Sequence, residues 1–261
     1  MERGSNKRDL IKKIISKKEF SLLPLEDVGL VFENFDKDLY SDEEKVKFSR
    51  NLLRKMYTVF LSNKLLKYRE KNEEWFLNKH LSTKERMPFY KEVYEKIFSG
   101  FKGKTNVYDM GSGVNSFSHY FFPKKLDLNY FGIEAVGQLV EVQKKFFLGK
   151  KNFHFFHESL FDLERIKEIL KKGNGKKVVF LFKAIDSLEM LKKNYSKTLL
   201  EEIVPLVDLV VVSFATKSLG SKKRFFVDRK WIKNFIEKNF ELKSSFEEGN
   251  EEYILFSKKD L

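Results

Sequence analysis

Over the first hundred residues the apolar side chains recur at the three-to-four-residue interval of helices with one buried face. Leu10, Ile11, Ile14 and Ile15 share one such face, and Phe48, Leu52, Met56, Val59 and Leu66 share another. Pro24 and the start signal Ser41-Asp42-Glu43-Glu44 punctuate these helices. A serine followed three residues later by a glutamate can satisfy two free backbone donors at a helix start. Runs suited to strands are nearly absent before residue 100.

After Gly100 the pattern changes. Short apolar runs at 106–110, 130–134, 153–156, 178–183 and 208–214 read as buried strands. Residues 116–122, 136–148, 163–171 and 188–203 read as the helices between them. That alternation predicts right-handed crossovers and a parallel sheet. The end of the chain differs: a helix over 231–240, then strands 242–246 and 252–257 around the turn Glu248-Gly249-Asn250. Such a hairpin adds an antiparallel strand to the sheet. The expected fold class is therefore α/β, a mostly parallel sheet with a terminal antiparallel hairpin, preceded by an all-α N-terminal region. The regions divide at 1–100 and 101–261, and without a low-complexity linker the join is expected to be packed.

Composition narrows the class. With 42% hydrophobic residues and 28 phenylalanines the chain can fill a substantial core, which excludes global disorder. No apolar run reaches 18 residues, so no membrane-spanning helix is expected, and the charged N-terminus lacks a signal peptide's apolar stretch. The absence of cysteine excludes disulfides and thiolate metal sites and fits a cytoplasmic protein. A net charge of +13 points to a polyanionic partner, because basic side chains release counterions when they neutralise phosphates. Only nine of the 51 basic residues are arginine, however, so a lysine-rich composition with a generic basic surface accounts for the charge as well.

The candidate chemistry begins at Val107-Tyr108-Asp109-Met110-Gly111-Ser112-Gly113-Val114-Asn115, where the first strand runs into the first helix. Gly111 and Gly113 allow a tight turn and a close approach of ligand to backbone. Glu134 ends the next strand, where a carboxylate can accept from both hydroxyls of a ribose. Asp109 can accept from a ligand ammonium or orient the glycine loop. The third glycine of a dinucleotide fingerprint is missing, which favours a cofactor without pyrophosphate. Asp162 lies past the third strand, either to read an adenine amino group or to cap the following helix. Lys183 ends a buried strand at the ligand edge of the sheet, unless it only reaches out to solvent. His154, His157 and Glu158 suggest no third metal ligand, and no nucleophile elbow is present.

Several segments, in order, resemble the aminoglycoside-resistance methyltransferases that modify guanine N7 in the decoding site of 16S ribosomal RNA. His80-Leu81-Ser82-Thr83-Lys84-Glu85-Arg86 resembles the family's Ser-Thr-x-Glu-Arg segment, and the loop at Asp109 its Asp-x-Gly-Cys-Gly-x-Asn-Pro. Phe180-Leu181-Phe182-Lys183-Ala184 is similar to its Phe-Leu-Leu-Lys strand end. Val211-Val212-Ser213-Phe214-Ala215-Thr216-Lys217-Ser218-Leu219-Gly220 resembles its Val-Ser-Phe-Pro-x-Lys/Arg-Ser-Leu-x-Gly strand and loop. The strand order also resembles the Rossmann-like sheet of class I methyltransferases.

The resemblance implies a monomeric enzyme with S-adenosyl-L-methionine as cofactor and the small ribosomal subunit as partner. It implies that Arg86 pairs with the cofactor's carboxylate, that Gly111 and Gly113 line it, that Glu134 meets its ribose and that Asp162 meets its adenine. Lys183, Lys217 and Ser218 would position the target base. Lys12, Lys13, Arg50, Arg54, Lys217, Lys222, Lys223 and Arg224 would contact RNA. The chain departs from the family at Ser112, Ser116 and Ala215, which replace a cysteine and two prolines, and at Ser221-Lys222-Lys223-Arg224-Phe225-Phe226, which replaces a glycine-rich stretch. A binding or assembly factor that keeps this fold, or a methyltransferase for a protein or small molecule, remains the competing expectation.

Overall fold

A computed structural model of the chain describes residues 6–58, 65, 71–217 and 229–259. The N-terminal region opens with α1 (Lys7–Ile15), whose first turn is capped by the Asn6 side chain accepting from the Arg8 amide at 3.2 Å. α2 (Leu25–Glu33) starts directly after Pro24, and α3 (Asp42–Leu53) carries the expected reciprocal cap between Ser41 and Glu44. α3 buries Val46, Ser49 and Leu53, with Met56 beyond it, rather than Phe48 and Leu52. Phe48 is turned to the helix edge, where its ring meets Phe35 and Tyr40 at 5.7 and 5.1 Å. A π-helical turn, Arg54–Thr58, continues α3; Val59 and Leu66 of the expected face lie outside the described residues. From residue 71 on, the described residues form α4 (Glu73–Lys79), α5 (Leu81–Arg86) and α6 (Tyr90–Ile97) ahead of the sheet.

The rest is one seven-stranded sheet in the order β3-β2-β1-β4-β5-β7-β6. Its strands are β1 (Gly103–Met110), β2 (Leu126–Glu134), β3 (Phe153–His157), β4 (Lys176–Phe182), β5 (Leu209–Ala215), β6 (Glu241–Glu248) and β7 (Glu251–Ser257). The first five pair in parallel, and β7 runs antiparallel between β5 and β6, as the hairpin pattern predicts. Gly249 has φ 64°, the conformation that a two-residue hairpin turn asks for. Crossovers come from α7 (Gly137–Phe146), α8 (Leu163–Leu170), α9 (Ile185–Leu191), α10 (Tyr195–Ile203) and α11 (Lys230–Asn239).

Two expected helices differ. Residues Asn115–Phe121 form a 3-10 helix rather than an α-helix. The span 188–203 is broken into α9 and α10, with Asn194 in the left-handed region at φ 63°. Glu189 near the end of α9 accepts from the Asn194 and Ser196 amides at 2.6 and 2.8 Å, so one helix caps the next.

A single apolar core runs from Leu10 on α1 to Phe256 on β7, so the N-terminal helices are packed on the sheet rather than tethered to it. The Leu22 carbonyl accepts from the Gly137 amide at 3.0 Å, and Gln138 donates to the Lys18 carbonyl at 2.9 Å. A Cβ at Gly137 would lie 2.8 Å from Leu22 and 2.9 Å from His157, which explains glycine where the two regions meet. Among the described residues no helix is long and apolar enough to cross a membrane.

Candidate functional site

Sheet order reverses between β1 and β4, since β2 and β3 extend to one side and β5, β7 and β6 to the other. Open sheets of this kind bind ligands outside the carboxyl ends of the strands at that point. A cavity of about 340 Å³ lies there, lined by the ends of β1, β2 and β4 and by residues from the N-terminal helices. Gly111 and Gly113 turn the chain off β1 with φ of 74° and 51°, where a side chain would be strained. Both line the cavity, and the buried Ser112 hydroxyl between them has no hydrogen-bond partner among the described residues.

Glu134 stands at the end of β2 with its carboxylate buried. It accepts from the Gly113 amide and the Val136 amide at 2.8 Å each, and so ties the glycine turn to the β2 corner. Burial pushes its pKa up, and those two amides oppose the shift. Asp109 accepts from Tyr130 Oη at 2.5 Å and Asn115 Nδ2 at 2.7 Å. Its pKa is also raised by burial, against Tyr130, Asn115 and the charge of Arg86. Each oxygen of a carboxylate can accept two bonds, so both groups retain capacity toward a ligand.

Across the cavity lies a buried charge network. Arg86 is 4% exposed, and its fork is filled by Glu251 at the start of β7, at 2.8, 3.1 and 3.2 Å. Its remaining nitrogen donates to Asn115 Oδ1 at 3.2 Å, beside Tyr90 Oη at 3.5 Å. The fork that the resemblance assigns to a cofactor carboxylate is held by Glu251 in this structure, because a buried guanidinium needs a compensating charge and the hairpin supplies it. Lys183, held at φ 56° past the end of β4, lies 3.2 Å from Glu251 and 3.5 Å from Glu85. It lines the cavity as expected, as part of the network rather than reaching into solvent. Burial works against ionised Glu251, yet the charges of Arg86 and Lys183 together with the hydrogen bonds from Arg86 and Ser213 outweigh it and hold its pKa below the usual range. His80, beside Gly113, has its pKa lowered to about 3 by burial and by the same two cations, and is neutral at pH 7.

The remaining sequence candidates scatter. Asp162 is exposed, caps α8 through the Arg165 amide at 3.0 Å and does not line the cavity. Lys217 is exposed at the cavity rim; Ser218, Lys222, Lys223, Arg224, Phe225 and Phe226 lie outside the described residues. Phe214 packs in the core, with the Arg229 guanidinium 5.0 Å above its ring. Lys12 and Lys13 are exposed on α1. Arg50 is instead committed to the C-terminus of that helix, donating to the Lys13 carbonyl and, at 3.4 Å, to the Ile14 carbonyl. Arg54 pairs with Glu19 at 2.7 Å. His154 stacks on Phe131 at 4.8 Å, and no cluster of three His, Cys, Asp or Glu suited to a metal occurs among the described residues. Sequence reasoning missed Glu251, Tyr90, His80, Tyr57 and Asp27, all of which line the cavity or brace those that do.

The sequence model of the ribosomal RNA methyltransferase family FmrO matches residues 74–241, well over half of the chain. The chain belongs to that family. Membership bears out the expected enzyme class, a ribosomal RNA methyltransferase, and with it S-adenosyl-L-methionine as methyl donor. Solved structures similar to this methyltransferase include the 16S rRNA methylase RmtB, with TM-score 0.75 and 20% identity over 98% of this chain and all of that one. The 16S rRNA methyltransferase RmtF, in complex with S-adenosyl-L-homocysteine, matches with TM-score 0.77 and 18% identity over 98% of this chain and all of that one. An rRNA methylase from Escherichia coli matches with TM-score 0.75 and 20% identity over 97% of this chain and all of that one. At these identities the likeness carries the fold, and it bears out the class I architecture. No curated protein matches the methyltransferase sequence.

Proposed function

We propose that this methyltransferase modifies small-subunit ribosomal RNA in the cytoplasm, at guanine N7 in the decoding region, as a monomer. The observation that carries the reading is the cavity at the switch point, where Glu134 offers a buried acceptor at the end of β2 while Asp109, Arg86 and Lys183, the last two backed by Glu251, set charges of both signs beside the ends of β1 and β4. S-adenosyl-L-methionine fits that donor set: its ribose diol matches Glu134, and its zwitterionic amino-acid end matches a field that offers both signs. When bound, the cofactor supplies an electrophilic methyl group.

What the protein adds is placement. Glu134 and the Gly111–Gly113 turn orient the nucleoside, while Lys183 and Arg86 hold the amino-acid end. Guanine N7 carries a lone pair and no proton, so the reaction needs alignment and a fixed electrostatic environment rather than a general base. Neutral His80 and the paired carboxylates fit that requirement. Lys217, at the cavity rim, positions the target base together with Ser218, and Lys12, Lys13, Lys222, Lys223 and Arg224 supply basic contacts to phosphate. The helical region 1–100 grips the RNA and the region 101–261 holds most of the cofactor.

The test is methyl transfer from labelled cofactor to purified small subunits, with naked RNA and protein as parallel acceptors. Label is expected on small-subunit RNA, at one guanine where borohydride and aniline treatment cleaves the chain and stops reverse transcription, and abolished in Glu134→Ala. Label on protein alone, or on no acceptor, would sink the assignment in favour of another substrate or a binding role.

A further inference from the structure

One buried carboxylate in the cavity has no part in the reading above. Asp27, on α2 of the N-terminal region, is 1% exposed, and it lines the cavity together with Tyr57, Met56, Leu160, Ala135 and Glu134. Its Oδ2 accepts from Tyr57 Oη at 2.5 Å, and its Oδ1 accepts from the Ser159 hydroxyl, just past β3. Ser159 Oγ in turn accepts from the Phe161 amide at 2.9 Å, so the carboxylate is anchored in the loop that follows β3. Burial raises its pKa, and the two hydroxyl donors pull it back. A desolvated carboxylate is costly to keep where an apolar side chain would serve the packing.

Its position gives it a task. Glu134 sets the ribose at the end of β2, and the amino-acid end lies toward β4 and β7, so the base of the nucleoside must project the other way, toward β3. That corner is walled by Leu160, Ala135 and Leu139, apolar surfaces suited to the faces of a purine. Asp162 is outside the cavity, so it leaves the amino group of an adenine without a carboxylate. Asp27 lines this corner, and each of its oxygens accepts one bond from the protein and keeps room for another.

Resting on the proposed cofactor, we infer that Asp27 accepts a hydrogen bond from the adenine amino group, so that α2 of the N-terminal region completes the cofactor site and sets its preference for adenosine. Tyr57 and Ser159 are positioning residues that fix the orientation of this carboxylate. The region expected to hold RNA therefore also contributes to cofactor recognition.

Calorimetric titration of the full chain with S-adenosyl-L-homocysteine and with its deaminated analogue, S-inosyl-L-homocysteine, tests this. The analogue presents a carbonyl where adenine presents an amino group, and a carbonyl facing a carboxylate is repelled. Wild type is expected to bind the adenosyl ligand at least about tenfold more tightly. In Asp27→Asn the side-chain amide can donate to that carbonyl, and the ratio is expected to fall by about tenfold or invert. Glu134→Gln is expected to weaken both ligands by the same factor. Equal affinities of wild type for the two ligands would overturn the inference whether or not the variant folds. So would an unchanged ratio in a folded Asp27→Asn, which would make Asp27 a brace only. Binding of neither ligand to wild type would instead strike at the cofactor reading beneath it.

Discussion

Glu251 decides most at the scale of single residues. Its carboxylate is shared by Arg86, Lys183 and the Ser213 hydroxyl, all buried or nearly so. Removing one partner of such a pair strands the other charge, at a cost of about 3–5 kcal/mol. Glu251→Ala is therefore expected to lower the unfolding free energy by that amount in urea titrations at pH 7, more than Glu252→Ala on the same strand. Because Glu251 titrates below its ordinary 4.5, its contribution is complete above that pH and fades as acid carries the solution through the lowered folded value. His80 acts earlier on the same side. Its folded pKa of about 3 lies below the unfolded 6.5, so stability is lost as pH falls below 6.5. Between pH 7.5 and 5.5 the loss should be about 1 kcal/mol, and His80→Asn should flatten it. Raised carboxyls such as Asp109 and Glu134 have the opposite sign and regain stability as the solution is acidified. A slope between 7.5 and 5.5 that His80→Asn leaves unchanged would show that His80 is not buried neutral. Of these residues, Asp109, Gly111, Gly113 and Glu134 were legible in the sequence, because a strand end and its turn are local. Glu251 was not, because its partner lies 165 positions away and an acidic residue opening a hairpin strand looks like solvent.

Among the elements, all seven strands were legible, since buried apolar runs and a glycine turn are strong local signals. The break between α9 and α10 was not. Leu188, Leu191, Tyr195 and Leu199 are all buried and keep helical spacing across it, so the periodicity continues where the helix stops. What stops it is Asn194 at φ 63° with Glu189 reaching forward to cap α10. Asparagine tolerates that conformation and a β-branched residue does not. Asn194→Val should cost about 1–2 kcal/mol while Asn194→Gly stays near neutral in the same denaturation assay. Equal effects of the two would mean that the break is held by the Glu189 cap alone. The 3-10 run Asn115–Phe121 escaped for a different reason: Asn115 is drawn to Asp109, and Ser118 back to the Asn115 carbonyl, by side-chain bonds that periodicity does not register.

For the molecule as a whole, the question is which of its basic residues meet RNA. Charge alone gave no answer, and the structure divides the candidates by what each is already doing. Lys12 and Lys13 are exposed on α1 and close no buried contact, although Lys12 has a weak surface pairing with Asp9 at 3.7 Å. Arg50 holds the carbonyl end of α1, and Arg54 is paired with Glu19 beside the Phe20 ring. The two classes should separate by salt. Removing one lysine–phosphate pair flattens the dependence of log affinity on log salt concentration by about 0.7–0.9. Lys12→Ala with Lys13→Ala is expected to reduce that slope on small-subunit RNA by about 1.5 and to leave thermal stability within about 0.5 kcal/mol. Arg50→Ala should do the reverse, lowering stability by about 1 kcal/mol by uncapping the helix end, with little change in slope. Fluorescence anisotropy over a salt series and thermal melts on the same preparations give both numbers. Were the double lysine variant to keep the wild-type slope, the RNA-facing surface would have to lie around Lys217 and the segment beyond it. The net charge of +13 would then be a property of the surface at large, with α1 contributing only solubility.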